Sequence, residues 1–253
     1  MRTVVVGASS GLGRCIAVGL AQRGSQVAML ARRRERLEAA VAEAGPGSFA
    51  VECDVTDTAS VSAAIAKAAA ELGGIDALVY TPAIGPLARL ADVDVETWRQ
   101  VFDTNVIGAA LVTAAALPHL RASGAGTAVY LSSVSASQTP PWPGLGAYAV
   151  SKAALDKLVE AWRMEHPDVA FTRCVVGDCA GGQGDGATGF ANEWDWDLAA
   201  ELHPIWTARG MIAGSLIDVE HLVAAVDGVL RLGPTLATPT IVLAPRTPGV
   251  VDS

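Results

Sequence analysis

The stretch VVVGASSGLG at residues 4–13 runs from a β-branched strand through a glycine-rich turn into a segment of helical period. Its glycines follow the spacing GxxxGxG. Gly7 permits a sharp exit from the strand, Gly11 lets the backbone approach a ligand closely, and Gly13 lets the helix pack close to the sheet. Because the free N–H groups at a helix start attract anions, we expect this turn to hold the pyrophosphate of a dinucleotide.

The rest of the chain alternates short β-branched runs with Ala- and Leu-rich segments of helical period. Nearly continuous hydrophobic runs are typical of parallel strands covered on both faces. The predicted strands are Thr3–Val6, Gln26–Leu30, Phe49–Cys53, Ala77–Tyr80, Thr127–Leu131, Val169–Val176 and Thr240–Leu243. The predicted helices are Leu12–Arg23, Arg34–Ala44, Ala59–Leu72, Val95–Leu120, Tyr148–Glu165 and Val219–Leu232. This alternation predicts an α/β fold of the Rossmann type, a doubly wound, mostly parallel seven-stranded sheet with helices on both faces.

Length and composition favour one globular domain over residues 1–253, because 51% of the residues are hydrophobic and only 17% are charged. A net charge of −8 argues against nucleic acid or an anionic membrane surface as a partner. The longest apolar stretch, Val106–Leu117, is about half of the roughly 20 residues needed to cross a bilayer. We therefore expect no membrane span.

The N-terminal apolar run is too short for a signal peptide, and the four cysteines are scattered without metal-ligand spacing. These features predict a cytoplasmic enzyme with reduced thiols and no metal site.

The segment from Gly177 to Gly214 breaks the alternation, since it is rich in Gly, Asp and Trp and shows no strand period. We expect a substrate lid inserted at about residues 178–214, the lid segment; an insertion that serves only oligomer packing is the alternative. Its aromatic residues either form an apolar wall of the pocket, with Trp142 on the other rim, or pack only among themselves. They are Phe190, Trp194, Trp196 and Trp206.

Basic residues follow the second strand. In dinucleotide folds that prefer NAD, an acidic side chain about 20 residues past the glycines binds the ribose 2′-hydroxyl. Here Arg32 and Arg33 occupy that place, and no carboxylate occurs before Glu35. A guanidinium binds phosphate through two parallel hydrogen bonds, so the pattern favours NADP(H) over NAD(H), with Arg32 as the first candidate and Arg33 as the second.

Other charged residues near this edge have alternative interpretations. The helix that follows is interpreted as having a solvated face, on which Arg34 and Arg36 form ion pairs with Glu38 and Glu43. Asp54, after the third strand, suits a contact to an adenine amino group, and a role at a helix N-terminus competes with it.

Tyr148 and Lys152 lie four residues apart near the start of a predicted helix, which places phenol and ammonium on one face. A free tyrosine has a pKa of about 10 and is a poor base at neutral pH. We expect the neighbouring ammonium, together with the positive ring of an oxidised nicotinamide, to lower the pKa of Tyr148. The pair is thus a candidate for proton transfer.

These motifs together resemble the short-chain dehydrogenase/reductase family over nearly the whole chain. The motifs occur in the family's order and with approximately its spacing. They are GASSGLG at 7–13, CDVTD at 53–57, FDTNVIGA at 102–109, the serine pair at 132–133 and AYAVSKAAL at 147–155.

The resemblance implies a hydride transfer between nicotinamide and a carbonyl/alcohol pair. Tyr148 would exchange the proton, Lys152 would hold the nicotinamide ribose, and Asn105 would hold a water in the proton relay. A serine would bind the substrate oxygen. Ser133, at the end of a strand, is preferred because residues 140–144 read as a two-residue lengthening of the loop, whereas Ser135 has the family's usual separation from the tyrosine.

The resemblance also implies a homo-oligomer, a dimer or a tetramer, with a small-molecule substrate. The cofactor-binding set that it implies is Gly7, Ser9, Ser10, Gly11, Leu12, Gly13, Arg32, Arg33, Asp54, Val55 and Lys152.

Two departures from the family pattern bear on the site. The usual Asn-Asn-Ala-Gly after the fourth strand is replaced by residues 80–83, Tyr-Thr-Pro-Ala, and the usual Pro-Gly after the sixth strand is Val176-Gly177. A dinucleotide-binding sensor with decayed catalysis is therefore kept as an alternative. Epimerisation or dehydration on the same fold is a further alternative, although such relatives tend to have a substrate domain that this chain lacks.

Overall fold

Seven strands form one sheet in the order β3-β2-β1-β4-β5-β6-β7, and every neighbouring pair is parallel. The fold is that of a computed structural model that describes residues 1–182, 187–212 and 214–246. The strands are β1 (Arg2–Val6), β2 (Gln26–Ala31), β3 (Ser48–Glu52), β4 (Ala77–Tyr80), β5 (Thr127–Ser133), β6 (Ala170–Val176) and β7 (Thr240–Leu243). This sheet confirms the predicted Rossmann-type fold.

Nine helices connect or flank these strands in the described part of the chain. They are α1 (Gly11–Gln22), α2 (Arg34–Ala44), α3 (Thr58–Leu72), α4 (Val95–Phe102), α5 (Gly108–Ala122), α6 (Val134–Ser137), α7 (Gly146–Glu165), α8 (Trp196–Ala208) and α9 (Val219–Leu230).

Three helical features differ from the prediction. The single helix expected over Val95–Leu120 is two helices, because a π turn at Asp103–Ile107 separates α4 from α5. The short α6 was not predicted, and neither was α8 within the lid segment. In α8, Asp195 caps the first turn through the N–H groups of Asp197 and Leu198, but the surrounding tryptophans and Pro204 obscure the helical period.

The sheet has a core on each face, as the alternation of side chains along its strands dictates. On β1, Val4 and Val6 face one core, which includes α3, α5 and α7, while Val5 faces the other, which includes α1, α2 and α9. All three valines are completely buried. Because the parallel strands are buried on both sides, their hydrophobic runs in the sequence are unbroken.

The turn between β1 and α1 is a close approach of three backbone segments. Gly7 has a φ of 85°, in the left-handed region that favours glycine. A Cβ atom on Gly13 would lie 2.5 Å from the Gly7 carbonyl oxygen and 2.2 Å from Oγ1 of Thr81. That hydroxyl donates a 2.6 Å hydrogen bond to the Val6 carbonyl. Thr81 thus ties the end of β4 to β1, where the family usually has asparagine.

By length and composition alone, one stretch of the described residues, Val95–Ala122, would be able to cross a membrane. In this fold, the stretch is interrupted by the π turn, and Ala109, Val112 and Ala116 on α5 are fully buried in the core shared with α3. The core helix of a globular domain has the same apolar character, so the stretch is weak evidence for a membrane span.

Gly13→Ala tests the close approach. Because the new methyl group would collide with the backbone of Gly7, we expect the free energy of unfolding to fall by about 1–3 kcal/mol in urea denaturation. Gly228→Ala on α9 is the matched control, since its methyl group would meet nothing within 4 Å and should stabilise the helix by roughly 0.5–1 kcal/mol. Equal stability of the two variants would contradict the packing described for the turn.

Candidate active site

A cleft of about 930 Å³ lies at the carboxyl ends of the strands, next to the point where the sheet order reverses between β1 and β4. Parallel α/β sheets bind ligands at this position, because the loops diverge there. Every residue predicted for the site lines the cleft except Asn105: these are Gly7, Ser9, Ser10, Gly11, Leu12, Gly13, Arg32, Arg33, Asp54, Val55, Ser133, Tyr148 and Lys152. Asn105 is buried beneath it.

The N-terminus of α1 points an uncapped first turn at this cleft. Ser10 is the N-cap residue, but its side chain makes no capping hydrogen bond. The first N–H groups of the helix are therefore available to an anion. Thr188 of the lid segment lies over the turn, 3.3 Å from where a Cβ of Gly11 would be. The residues present fit the phosphates of a dinucleotide.

Arg33 lies directly over the glycine-rich turn. Its Nη2 atom donates hydrogen bonds to Oγ of Ser9, at 3.0 Å, and Oγ of Ser10, at 2.8 Å. Arg32 is exposed at the same end of the cleft. The structure therefore places both arginines at the cleft and gives Arg33 alone defined contacts with the glycine-rich turn.

The predicted ion pairs of α2 are half correct. Arg34 pairs with Glu38 at 2.8 Å, as expected. Glu43 pairs instead with Arg14 of α1, also at 2.8 Å, so the predicted Arg36–Glu43 pair is wrong. The Arg14–Glu43 contact joins α1 to α2, which pack side by side on the same face of the sheet.

Asp54 forms a turn of its own at the end of β3. Its Oδ1 accepts hydrogen bonds from the N–H and the hydroxyl of Thr56, and these bonds hold the pKa of Asp54 below its ordinary value. The N-cap of α3 is Asp57, not Asp54. The helix-terminus role considered for Asp54 therefore belongs to Asp57, while Asp54 and Val55 line the cleft.

Tyr148 is half-buried on the first turns of α7, beside the end of β5. Burial raises the pKa of Tyr148 to about 12, against the opposing effect of the Ser133 hydroxyl. Of the two candidate serines, Ser133 is the one whose hydroxyl contributes to the pKa of Tyr148. The hydroxyl of Ser135 lies 2.9 Å from that of Ser133, so the two serines form a hydrogen-bonded pair at the cleft.

Lys152 is almost completely buried below Tyr148. Its Nζ donates a 2.7 Å hydrogen bond to the Leu131 carbonyl and lies 5.8 Å from the centroid of the Tyr148 ring. Burial lowers the pKa of Lys152 to about 8. Burial of the phenol therefore outweighs the lowering of the Tyr148 pKa that was expected from the neighbouring ammonium.

Asn105 lies in the π turn between α4 and α5 and is fully buried. Its side chain accepts from the Ile84 N–H and donates to the Ile84 carbonyl, both at 2.9 Å, and it donates to Oγ of Ser151 at 2.8 Å. The amide therefore fixes the loop after β4 against α7. Its water-holding role stays a prediction, and the side-chain N–H groups are already used in these contacts.

The lid segment covers the Tyr148 end of the cleft with aromatic rings; its residues 183–186 and 213 lie outside the described ones. Phe190 meets the Tyr148 ring edge-on at 5.0 Å between centroids, and Trp194 donates from Nε1 to the Gly85 carbonyl at 2.9 Å. Phe190, Trp194 and Trp142 line the cleft. Trp206 is buried in a small core that joins the lid segment to Leu87 and Leu145, so it does not pack only among the lid aromatics, and Trp196 is exposed.

Sequence reasoning missed two contributors to the site, Thr81 and Thr188. Thr81 had a usable signal, since it directly follows β4 at the strand ends where the other site residues lie. Thr188 had none, because its contact with the glycine-rich turn depends on how the lid segment folds back.

Comparison with known proteins assigns the family. The family model described as short chain dehydrogenase matches residues 2–179. The chain therefore belongs to the short-chain dehydrogenase/reductase family of oxidoreductases.

Individual relatives agree with this assignment. The chain is 40% identical over 134 residues to a cis-4-hydroxycyclohexanecarboxylate dehydrogenase of Sinomonas cyclohexanicum, covering 52% of this chain and 54% of the relative. It is 34% identical over 166 residues to dehydrogenase/reductase SDR family member 4 of Oryctolagus cuniculus, covering 64% and 63%. The chain thus spans between half and two thirds of the length of these curated relatives.

Two solved structures resemble the whole fold. One is the closed form of a serine dehydrogenase complexed with NADP+, with a TM-score of 0.81, 25% identity, and coverage of 97% of this chain and 95% of that one. The other is an alcohol dehydrogenase from the archaeon Thermococcus sibiricus complexed with 5-hydroxy-NADP, with a TM-score of 0.79, 25% identity, and coverage of 95% and 94%.

Phe190→Ala should lower the pKa of Tyr148 from about 12 toward the value of about 10 of a free tyrosine, because removing the ring exposes the phenol. The chain has three tyrosines, and burial also raises the pKa of Tyr80 and Tyr130, so the Tyr148 step in an absorbance titration of tyrosinate must be assigned. Tyr148→Phe, which deletes that step, identifies the signal. An unchanged midpoint in Phe190→Ala would show that Phe190 does not cover the phenol.

Proposed function

We propose that this protein is an NADP(H)-preferring oxidoreductase that transfers a hydride between nicotinamide and a small to medium, largely apolar carbonyl or alcohol. One observation carries the proposal. The Ser133 hydroxyl and the Tyr148 phenol lie in the same cleft as an uncapped, glycine-lined helix N-terminus, with the buried ammonium of Lys152 5.8 Å from the centroid of the Tyr148 ring.

The cofactor end of the cleft supports a dinucleotide with a 2′-phosphate. The first turn of α1 would hold the pyrophosphate, and Lys152 would hold the nicotinamide ribose. Arg32 and Arg33 lie where an acidic residue would otherwise accept the ribose 2′-hydroxyl. The solved structures of similar proteins complexed with NADP+ and with 5-hydroxy-NADP support a nicotinamide dinucleotide at this place. Bound there, the nicotinamide supplies or accepts the hydride.

The chemistry of this chain's own residues is proton transfer and orientation. The pKa of about 12 keeps the Tyr148 phenol protonated at neutral pH, which suits donation of a proton to the oxygen of a carbonyl under reduction. Ser133 would hold that oxygen by a hydrogen bond. In the oxidative direction the phenol must lose its proton first, so it needs added positive charge nearby, from Lys152 and from an oxidised nicotinamide.

The substrate end of the cleft favours an apolar molecule. Trp194 uses its only hydrogen-bond donor on the Gly85 carbonyl, so its indole, like the ring of Phe190, offers an apolar surface to a ligand. Leu145 and Trp142 continue this lining, and the hydroxyls of Ser133 and Ser135 supply polar groups in the same cleft. The relative from Sinomonas is named for cis-4-hydroxycyclohexanecarboxylate, which carries its alcohol on an apolar ring together with a carboxylate.

Tyr148→Phe should reduce kcat for carbonyl reduction by about 10²–10⁴-fold, because it removes the proton donor and keeps the ring. The measurement is NADPH consumption against a panel of apolar ketones and aldehydes. NADPH affinity, measured by fluorescence, should be unchanged and serves as the control for folding. Activity that survives this substitution would remove the proposed mechanism, and a wild type that binds NADPH but reduces nothing in the panel would favour the dinucleotide-binding sensor.

Arg32→Ala and Arg33→Ala should each weaken NADPH binding by about 10–100-fold and leave NADH binding nearly unchanged, because a hydrogen-bonded charge on the 2′-phosphate is lost. Arg34→Ala is the matched control: it removes the same charge from a side chain that is exposed and paired with Glu38. If the wild type shows no preference, or if the preference survives both substitutions, the assignment of these arginines is wrong.

A further inference from the structure

Asp156 is a buried carboxylate that the proposed mechanism does not use. It lies on α7 and is only 5% exposed. Within the described part of the chain, neither of its oxygens makes a hydrogen bond of normal geometry. An ionised carboxylate in such a place is costly unless a nearby positive charge or a polar group compensates. Its neighbours therefore indicate what the residue is for.

The first neighbour is Lys152, four residues earlier on the same face of α7. Lys152 is 2% exposed, so the two opposite charges share one buried region of the fold. The Lys152 ammonium is anchored at the Leu131 carbonyl of β5, and the Ser132 hydroxyl, also buried on β5, acts on the Asp156 carboxylate. Carboxylate and ammonium are thus held on adjacent turns against the same strand.

The second neighbour is Arg173 of β6, but its contacts with Glu160 and Thr240 are shorter than its contact with Asp156. Its Nη1 lies 3.8 Å from Oδ2 of Asp156 and 2.9 Å from Oε1 of Glu160. Its remaining donors bond to Oγ1 of Thr240 on β7. Because Glu160 and Thr240 already satisfy Arg173, its pairing does not by itself account for a buried carboxylate at position 156.

We infer that Asp156 is a positioning residue whose carboxylate keeps the Lys152 ammonium charged beneath Tyr148. The inference rests on the proposed function only for its consequence, since a neutral Lys152 would lose its attraction for a phenolate and one of its three hydrogen-bond donors. The burial of the two groups one helical turn apart is a property of the fold itself.

The electrostatics of both groups agree with this role. Burial lowers the pKa of Lys152 to about 8, and Asp156 is the charged group that opposes this fall. Burial raises the pKa of Asp156, while Ser132, Arg173 and Lys152 lower it and Glu160 raises it. These groups come from α7, β5 and β6, the three elements that enclose the carboxylate. Without the carboxylate, burial of Lys152 would act unopposed.

The chain contains only three lysines, Lys67, Lys152 and Lys157, so the ammonium can be titrated directly. The experiment is NMR of side-chain-labelled lysine over a pH series on the full chain without cofactor, with Lys67→Arg and Lys157→Arg to assign the signals. In the wild type we expect Lys152 to titrate near pH 8. In Asp156→Asn we expect its midpoint to fall by about one unit or more, because an opposing charge is lost.

Glu160→Gln is the matched control, since it removes a carboxylate that lies on the same helix and also contacts Arg173. It should leave the midpoint of the Lys152 titration unchanged. If Asp156→Asn unfolds, Asp156→Glu keeps the charge and should keep the wild-type midpoint. An unchanged midpoint in Asp156→Asn, an equal shift in Glu160→Gln, or a fall of the midpoint in a folded Asp156→Glu would overturn the inference.

The enzymatic readout separates this inference from the proposed function. In carbonyl reduction, the alkaline limb of the kcat/KM profile of Asp156→Asn should move to lower pH, in parallel with the Lys152 titration. A shifted NMR midpoint in a protein that reduces no carbonyl would support the role of Asp156 and count against the oxidoreductase proposal. A shifted midpoint with an unmoved pH profile of an active enzyme would overturn the consequence drawn for catalysis.

Discussion

The close approach of β1, α1 and the end of β4 is the constraint on which the cofactor end of the site depends. Gly13 lies so near the Gly7 carbonyl that no larger side chain fits, and the Thr81 hydroxyl fills the space beside both. This packing brings the first turn of α1 to the edge of the sheet with its N–H groups free. A helix set back by the width of a side chain would leave the anion site away from the strand ends where Tyr148, Ser133 and Arg33 lie.

Burial dominates the electrostatics at the Tyr148 end of the cleft. Tyr148 and Lys152 both have pKa values that are displaced toward their neutral forms, and in each case burial is the main cause. A site in this condition holds a protonated phenol above an ammonium that is close to losing its proton at mildly alkaline pH. Small changes of nearby charge, from a bound cofactor or from Asp156, therefore have large effects on both groups.

The residues that match the family model and the lid segment lie in largely different parts of the chain. The family model ends at residue 179, just after the lid segment begins. The two curated relatives match 52% and 64% of the chain. Binding of a shared cofactor requires the same turn, strand ends and tyrosine–lysine pair. The lid segment lies almost entirely beyond the matched residues, and its aromatic residues can differ between relatives without affecting the fold.

Local sequence alone determined the strands, most helices, the glycine-rich turn and the Tyr148–Lys152 pair, because periodicity, glycine conformation and spacing along one helix are properties of neighbouring residues. Tertiary structure decided the rest. Three contacts join residues that are distant in sequence: those of Asn105 with Ile84 and Ser151, that of Thr81 with β1, and that of Arg14 with Glu43. The buried neighbourhood of Asp156 was equally invisible, since an aspartate on a polar-looking helix gives no sign of which side faces the sheet.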